Sequence, residues 1–308
     1  MLRRLLLLLA ALVWPALAAA ASAAPAERPP LKPALWEVTD GKSRAILFGT
    51  VHSLPRGVDW FRPHVVAALD GADRLVIETL VPEQPNAMLP TLMRLARLPA
   101  PRPVMERVPP DWQPTLKRAI DRLKPGPLDW YETWFVALTL TNLQAAADGF
   151  EPRIGVEAVL SERAKLRNIP IEALETPEEQ LILFDALTEA DQQQALLATL
   201  EQLDTARPRM QAIIAAWLAG DTSALADKIN ADFQRSPMLR QMLVEDRNAR
   251  FAAWVQREMK AKPGTTLFVG VGAGHLAGPR SMQAELERRG LKVRQLLEEP
   301  PPRQRRRR

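Results

Sequence analysis

Three histidines occur in 308 residues, and two of them stand in nearly the same setting. One closes the run Ala45-Ile46-Leu47-Phe48-Gly49-Thr50-Val51-His52, the other the run Thr266-Leu267-Phe268-Val269-Gly270-Val271-Gly272-Ala273-Gly274-His275. Each time an apolar stretch that reads as a buried strand breaks at glycine, and a histidine follows three residues after a glycine (Gly-x-x-His). Glycine lets the backbone turn tightly and lets another group approach closely. Imidazole is the side chain that binds a metal or moves a proton near neutral pH. Two such strand-end histidines, more than 220 residues apart, point to one site assembled from both ends of a single domain.

Two acids end apolar runs in the same way: Glu78 after Leu75-Val76-Ile77, and Glu175 after residues 169–174. In open α/β sheets, ligands bind beyond the carboxyl ends of the strands. The plainer reading of a strand-end carboxylate is a loop acid or a helix-dipole partner. It weighs most on Glu175, which directly precedes a helix start. A fifth candidate comes from helical geometry. Across residues 239–255 an apolar stripe includes Leu243, Val244, Phe251 and Trp254, and Arg247 stands four residues from both Leu243 and Phe251. At about 3.6 residues per turn it points with the stripe. A buried arginine needs a carboxylate or a ligand anion, and Glu78 is the favoured partner, Glu175 the second; the plainer alternative is a side chain that snorkels to the edge. Asn248 is a weaker candidate on the flank. His64, inside a helix expected over residues 60–69 and one residue after Pro63, reads as a surface or packing histidine.

The elements that must position these groups alternate in type. Strands are expected over residues 35–39, 44–48, 74–77, 153–156, 169–174, 265–270 and 292–297. Asp40-Gly41 is a hairpin turn signal between the first two. Helices are expected over residues 60–69, 157–167 and 280–289. A proline-punctuated helical section runs from about 86 to 147, with an apolar stretch at 130–143, and further helices from about 178 to 250 and beyond. Thr176-Pro177-Glu178-Glu179 carries an N-cap threonine, a first-turn proline and a glutamate at the third position. Alternating strands and helices indicate an α/β sheet, with the long helical middle as a cap or second layer.

Composition narrows the function. The first 26 residues read as a signal peptide: Arg3 and Arg4, an apolar stretch over 5–13 too short to span a bilayer, then Ala-x-Ala options. The alternative is a retained anchor. No later segment reaches the roughly 20 apolar residues of a transmembrane helix. Residues 27–33 form a Pro/Ala-rich linker, 34–298 the α/β domain, and 299–308 a Pro/Arg-rich disordered tail. With no cysteine, a disulfide framework, a thiol-ligated metal and a thiol nucleophile are excluded. Setting aside Arg3, Arg4 and the five tail arginines takes the net charge from +5 to about −2, so the folded body has no nucleic-acid footprint. There is no His-Glu-x-x-His, no Gly-x-Ser-x-Gly and no Walker loop. Gly272-Ala273-Gly274-His275-Leu276-Ala277 fits Gly-x-Gly-x-x-Ala, but only one strand remains after it, too little for a dinucleotide-binding half.

Leu47-Phe48-Gly49-Thr50-Val51-His52-Ser53-Leu54-Pro55, followed by Leu75-Val76-Ile77-Glu78, resembles the opening of the TraB/PrgY/GumN family. The stretch from Ile169 to Gln180 is similar to its middle block. Asp246-Arg247-Asn248 resembles its Arg-Asn helix, and Val271-Gly272-Ala273-Gly274-His275-Leu276-Ala277-Gly278 its closing block. The resemblance spans residues 34–298. The family includes the Tiki metalloproteases and is distantly similar to erythromycin esterases and haem-binding ChaN-type proteins. It implies a pseudo-symmetric central sheet with flanking helices, both Gly-x-x-His elements at one site, and His52, Glu78, Arg247 and His275 as the functional set. GumN is associated with xanthan gene clusters, but a role in polysaccharide assembly does not transfer with the fold.

On this reading the chain is expected to be a soluble, periplasmic, metal-dependent hydrolase of a peptide or amide bond. His52 and His275 would ligate a divalent ion (zinc, manganese or iron) through neutral imidazoles. Glu78 would complete the site or act as general base, and Arg247 would stabilise an oxyanion or fix the carboxylate. Glu175 and Asn248 would support the site or touch the substrate. Two alternatives stay open: a metal-free esterase-like site with one histidine as base and Glu78 orienting it, and a non-catalytic binding or assembly factor on the same scaffold.

Overall fold

The computed structural model describes residues 33–80, 87–232 and 237–296. The expected signal peptide, most of the linker and the Pro/Arg-rich tail lie outside the described residues. Among the described residues six strands form one mixed sheet: β1 (Leu35–Thr39), β2 (Arg44–Thr50), β3 (Arg74–Ile77), β4 (Ile171–Ala173), β5 (Thr266–Gly272) and β6 (Lys292–Leu296). Their order across the sheet is β4-β3-β5-β2-β1-β6. The first four in that order are mutually parallel; β1 is antiparallel to both β2 and β6. The carboxyl ends of β2, β3, β4 and β5 therefore share one edge.

Among the described residues there are twelve α-helices: α1 (Pro63–Asp70), α2 (Leu89–Ala96), α3 (Gln113–Leu123), α4 (Thr133–Ala147), α5 (Val156–Leu166), α6 (Pro177–Asp185), α7 (Glu189–Gln202), α8 (Ala206–Ala219), α9 (Thr222–Asp232), α10 (Pro237–Arg240), α11 (Asp246–Ala261) and α12 (Met282–Arg288). A π-helical turn, Gln241–Glu245, joins α10 to α11. Among the described residues no helix is long and apolar enough to cross a membrane.

Period-two alternation sends Ile46, Phe48, Leu75, Ile77 and Phe268 to one face, against Val65, Leu69, Leu160 and Trp217 of α1, α5 and α8. It sends Leu47, Val76, Leu267 and Val269 to the other, against Phe251, Val255, Met259 and Met282 of α11 and α12. Both faces are covered, which is why the central strands read as nearly continuous apolar runs rather than alternating ones. The helical middle has its own core of Val104, Leu116, Leu128, Val136, Leu140, Leu196 and Leu200.

The expected architecture is present, with local differences. β2 runs through Gly49 to Thr50, and β5 through Gly270 to Gly272, so the glycines lie within the strands rather than ending them. Residues 153–156, expected as a strand, instead form a 3₁₀ turn at Pro152–Ile154 and the entry to α5. Pro152 at the start of that turn removes a ladder donor and sets a turn-compatible φ. β4 is only three residues long. His64 lies in α1, half-buried against the Pro33 carbonyl at 3.3 Å, as a packing histidine.

Helix α6 starts where the site ends. Thr176 Oγ1 accepts from the Glu179 amide at 3.1 Å, and the Glu179 carboxylate accepts from the Thr176 amide at 2.7 Å, a reciprocal capping box directly after Glu175. Thr176→Ala should lower the unfolding free energy by about 1 kcal/mol, the ordinary worth of an N-cap, as read from a shift of the denaturant midpoint without a change in slope.

Candidate functional site

Strand register puts the two Gly-x-x-His elements side by side. Thr50 pairs with Gly272 on the neighbouring parallel strand, and each chain then turns off the sheet toward its histidine. Gly272 is the point of closest approach. A Cβ placed there would lie 3.1 Å from Glu78 Oε1, 3.6 Å from His52 Nε2 and 3.7 Å from the His275 ring. Glu78, His52 and His275 thus surround one backbone position, and the side chains expected to converge do so.

Glu78 ends β3 and is buried. Its Oε1 accepts from the Gly272 amide at 2.5 Å and lies 3.5 Å from His275 Nε2; its Oε2 accepts from Arg247 Nη2 at 2.5 Å. Burial pushes this carboxyl upward, but the charges of His275, Arg247 and His52 and the Gly272 amide outweigh it and bring it down to about 2. A depressed carboxyl stabilises the fold above its unfolded range near 4.5, and that contribution is lost as the pH falls toward 2.

Arg247, only 5% exposed, sits on the first turn of α11. A guanidinium has five N–H donors in a fixed plane, and here every one has a partner. Nε donates to Glu175 Oε2 at 3.2 Å; Nη2 donates to Glu78 Oε2 and to Glu175 Oε1; Nη1 donates to the Leu243 carbonyl at 2.9 Å and to His275 Nε2 at 3.1 Å. The favoured and the second partner are thus both used. Glu175 is as buried as Glu78, and on its outer side Arg250 Nη2 approaches Oε2 at 3.4 Å.

Because Arg247 can only donate, His275 Nε2 must accept, and the ring proton therefore lies on Nδ1. Nδ1 donates to Asn248 Oδ1 at 2.7 Å, and Asn248 Nδ2 donates to the Arg280 carbonyl at 2.7 Å, which fixes the amide orientation. Burial holds the His275 pKa down to about 4, so the ring is neutral at pH 7. Asn248, expected as a flanking group, is fully buried and belongs to the network.

His52 differs from its counterpart: its side chain is 67% exposed. Its Nδ1 lies 2.5 Å from Glu157 Oε1, which also accepts from Thr50 Oγ1 at 2.6 Å. This carboxylate raises the imidazole pKa above its ordinary value. The loop carrying His52 is strapped down by Val156 N–H to the Val51 carbonyl (3.0 Å) and by the Leu54–Glu151 bridge. Gly155 closes the strap so tightly that a Cβ there would fall 2.0 Å from the His52 carbonyl oxygen. Glu157, Thr50 and Gly155 are site residues that sequence reasoning missed. Glu157 stands in the first turn of α5, where an acid reads as an ordinary dipole partner.

A family model for the TraB/PrgY/gumN family matches residues 34–295. The chain belongs to the TraB/PrgY/gumN family. No curated protein and no solved structure matches the chain. The family match spans the sheet and all four blocks that carry the convergent side chains, from β1 nearly to the end of β6.

His52, Glu78 and His275 are the residues around Gly272 that could hold a divalent cation. Each histidine has its Nδ1 engaged by an oxygen, from Glu157 or Asn248, as outer partners orient metal-ligating imidazoles, and His275 Nε2 lies 3.5 Å from Glu78 Oε1. With His275 neutral, the two buried carboxylates outnumber the one buried guanidinium, which leaves an excess negative charge. Among the described residues no three such side chains stand as a ready-made metal cage. His275 joins a ligand set only by exchanging its hydrogen bond from Arg247 Nη1.

Two substitutions test the geometry. Gly272 has an ordinary backbone conformation, φ −47° and ψ 137°, so Gly272→Ala should fold while shifting the Glu78 carboxylate by a few tenths of an ångström, the imidazoles lying at ordinary contact distance; a crystal structure of the variant is the check. Arg247→Met should destabilise by about 3–5 kcal/mol, the cost of stranding buried acids. Glu78→Gln should recover only part of that loss, and Glu78→Gln with Glu175→Gln more of it, in denaturant cycles. Strict additivity would deny the coupling.

Proposed function

We propose that the chain is an exported, periplasmic metal-dependent hydrolase acting on a peptide or amide bond, with His52, Glu78 and His275 as the metal ligands. The observation that carries this reading is the matched anchoring of the two imidazoles, each with Nδ1 on an oxygen, around the same backbone position as the buried Glu78. The divalent ion, zinc, manganese or iron, supplies Lewis-acid polarisation of the scissile carbonyl and acidifies the attacking water.

The residues divide the remaining work. Glu78, held ionised with both oxygens engaged, suits a ligand better than a general base, because a carboxyl so far below neutrality takes a proton poorly. Arg247 has no N–H left over for a developing oxyanion. Its part is to hold Glu78 and Glu175 in place, the second of the two roles expected for it. Glu157 and Thr50 fix the His52 ring, and Asn248 fixes the tautomer of His275. The exposed face of His52 is where a substrate gains access.

A second reading rests on the His52–Glu157 pair, an exposed imidazole oriented by a carboxylate, as in metal-free acyl transfer. Here Glu157, not Glu78, is the orienting acid. Three measurements on the purified chain separate the readings: metal content by mass spectrometry, peptide hydrolysis, and hydrolysis after chelation. The metal reading expects about one ion per chain, activity lost to chelator and restored by a divalent ion, and ion and activity both lost in His275→Ala. Activity indifferent to chelation and to His275→Ala, but abolished in His52→Ala, would establish the metal-free alternative instead.

A further inference from the structure

A groove of about 530 Å³ opens beside Glu175, between α6 and α11. Leu174, Ile182, Leu183 and Trp254 give it apolar walls, and Arg250 and Arg257 stand along it. Ile182 is 42% exposed, one of the few large apolar side chains so open among the described residues. The volume is in the range of small-ligand pockets.

The groove's acids are already engaged. Glu175 turns both oxygens inward to Arg247, and Glu179 is held by the Thr176 amide and hydroxyl. The arginines are less so. Arg257 makes no hydrogen bond or ion pair among the described residues, and Arg250 reaches Glu175 only at 3.4 Å. They are seven residues apart on α11, two turns on one face and therefore about 10 Å along the axis. Ala253 and Trp254 lie between them. Two exposed guanidiniums, one of them paired only at 3.4 Å, separated by an apolar step match two carboxylates about 10 Å apart with an apolar body between. An extended polyproline-type chain, at about 3.1 Å per residue and three residues per turn, presents residues three apart on one side at that distance.

We infer that this groove binds an extended acidic peptide segment, with carboxylates three residues apart on Arg250 and Arg257 and an apolar side chain over Trp254. The inference deepens the peptide-hydrolase reading and rests on it for the segment's place in a substrate. The groove is lined at one end by Glu175, whose carboxylate shares Arg247 with Glu78, so the anchored segment begins beside the site.

The test is fluorescence anisotropy with an end-capped, labelled peptide containing Glu-Leu-Pro-Glu, beside Gln-Leu-Pro-Gln and Lys-Leu-Pro-Lys counterparts. The acidic peptide should bind at least about tenfold more tightly than the neutral one, an advantage of about 1.4 kcal/mol. Arg257→Gln, an exposed change, should remove most of that advantage, and Arg257→Glu should turn the preference to the lysine peptide. Equal binding of the acidic and neutral peptides, or an Arg257→Gln protein with unchanged preference, would overturn the assignment. Intact, Arg257-dependent binding with no cleavage and no metal would sink the hydrolase reading alone.

Discussion

The site depends on one guanidinium. Arg247 sits where three strand ends meet and gives each of them at least one hydrogen bond: Glu78 after β3, Glu175 after β4 and His275 after β5. Its fifth donor goes back to the Leu243 carbonyl in the π-helical turn before α11. π-Turns recur at functional positions because they spoil the regular ladder, and here the arginine supplies part of the missing bonding. Lysine could not replace it, since an ammonium has three donors and no planar fork. The same residue that bridges two buried acids also sets the tautomer of His275, because it offers that ring only a donor.

Close backbone approach is the second constraint, and it explains which glycines matter. Gly49 packs against Ala273, with a hypothetical Cβ 3.2 Å from its Cα, so the two Gly-x-x-His turns touch each other directly. Trp217 adds a hydrogen bond from Nε1 to the Gly49 carbonyl at 2.8 Å. Gly272 leaves room for Glu78 and both imidazoles, and Gly155 lets α5 begin against the His52 carbonyl. None of these positions needs a positive φ; what they need is the absence of a side chain.

Much of this was legible because the signals were local and strong. β1 and β3 lie at their expected boundaries, the capping box was written in Thr176 to Glu179, and each strand-end acid or histidine lies where its apolar run ends. What escaped was set by tertiary context. Residues 153–156 look strand-like, yet their backbone serves as a strap for the His52 loop. Glu157 resembles any acid at a helix start until the fold brings His52 to it. Asn248 was underweighted because the apolar stripe was phased on Leu243 and Val244. Those two lie in the π-turn, whose extra residue rotates everything after it. The buried face of α11 is in fact Arg247, Asn248, Phe251, Ala252, Val255 and Met259.

The two Gly-x-x-His elements are alike in sequence and opposite in environment. His275 is buried beside Phe251, neutral, and locked on both ring nitrogens. His52 is open to solvent, and its Nδ1 is engaged by an acid. A paired motif therefore divides into a fixed half and an accessible half. The difference follows from what covers each turn: Phe251 of α11 packs on His275 after β5, whereas the loop after β2 is tied down by the Leu54–Glu151 bridge and the entry to α5, which leave the His52 side chain exposed. On the proposed reading that asymmetry divides the labour: the buried half stays fixed through Arg247 and Asn248, and the open half is where a substrate would arrive.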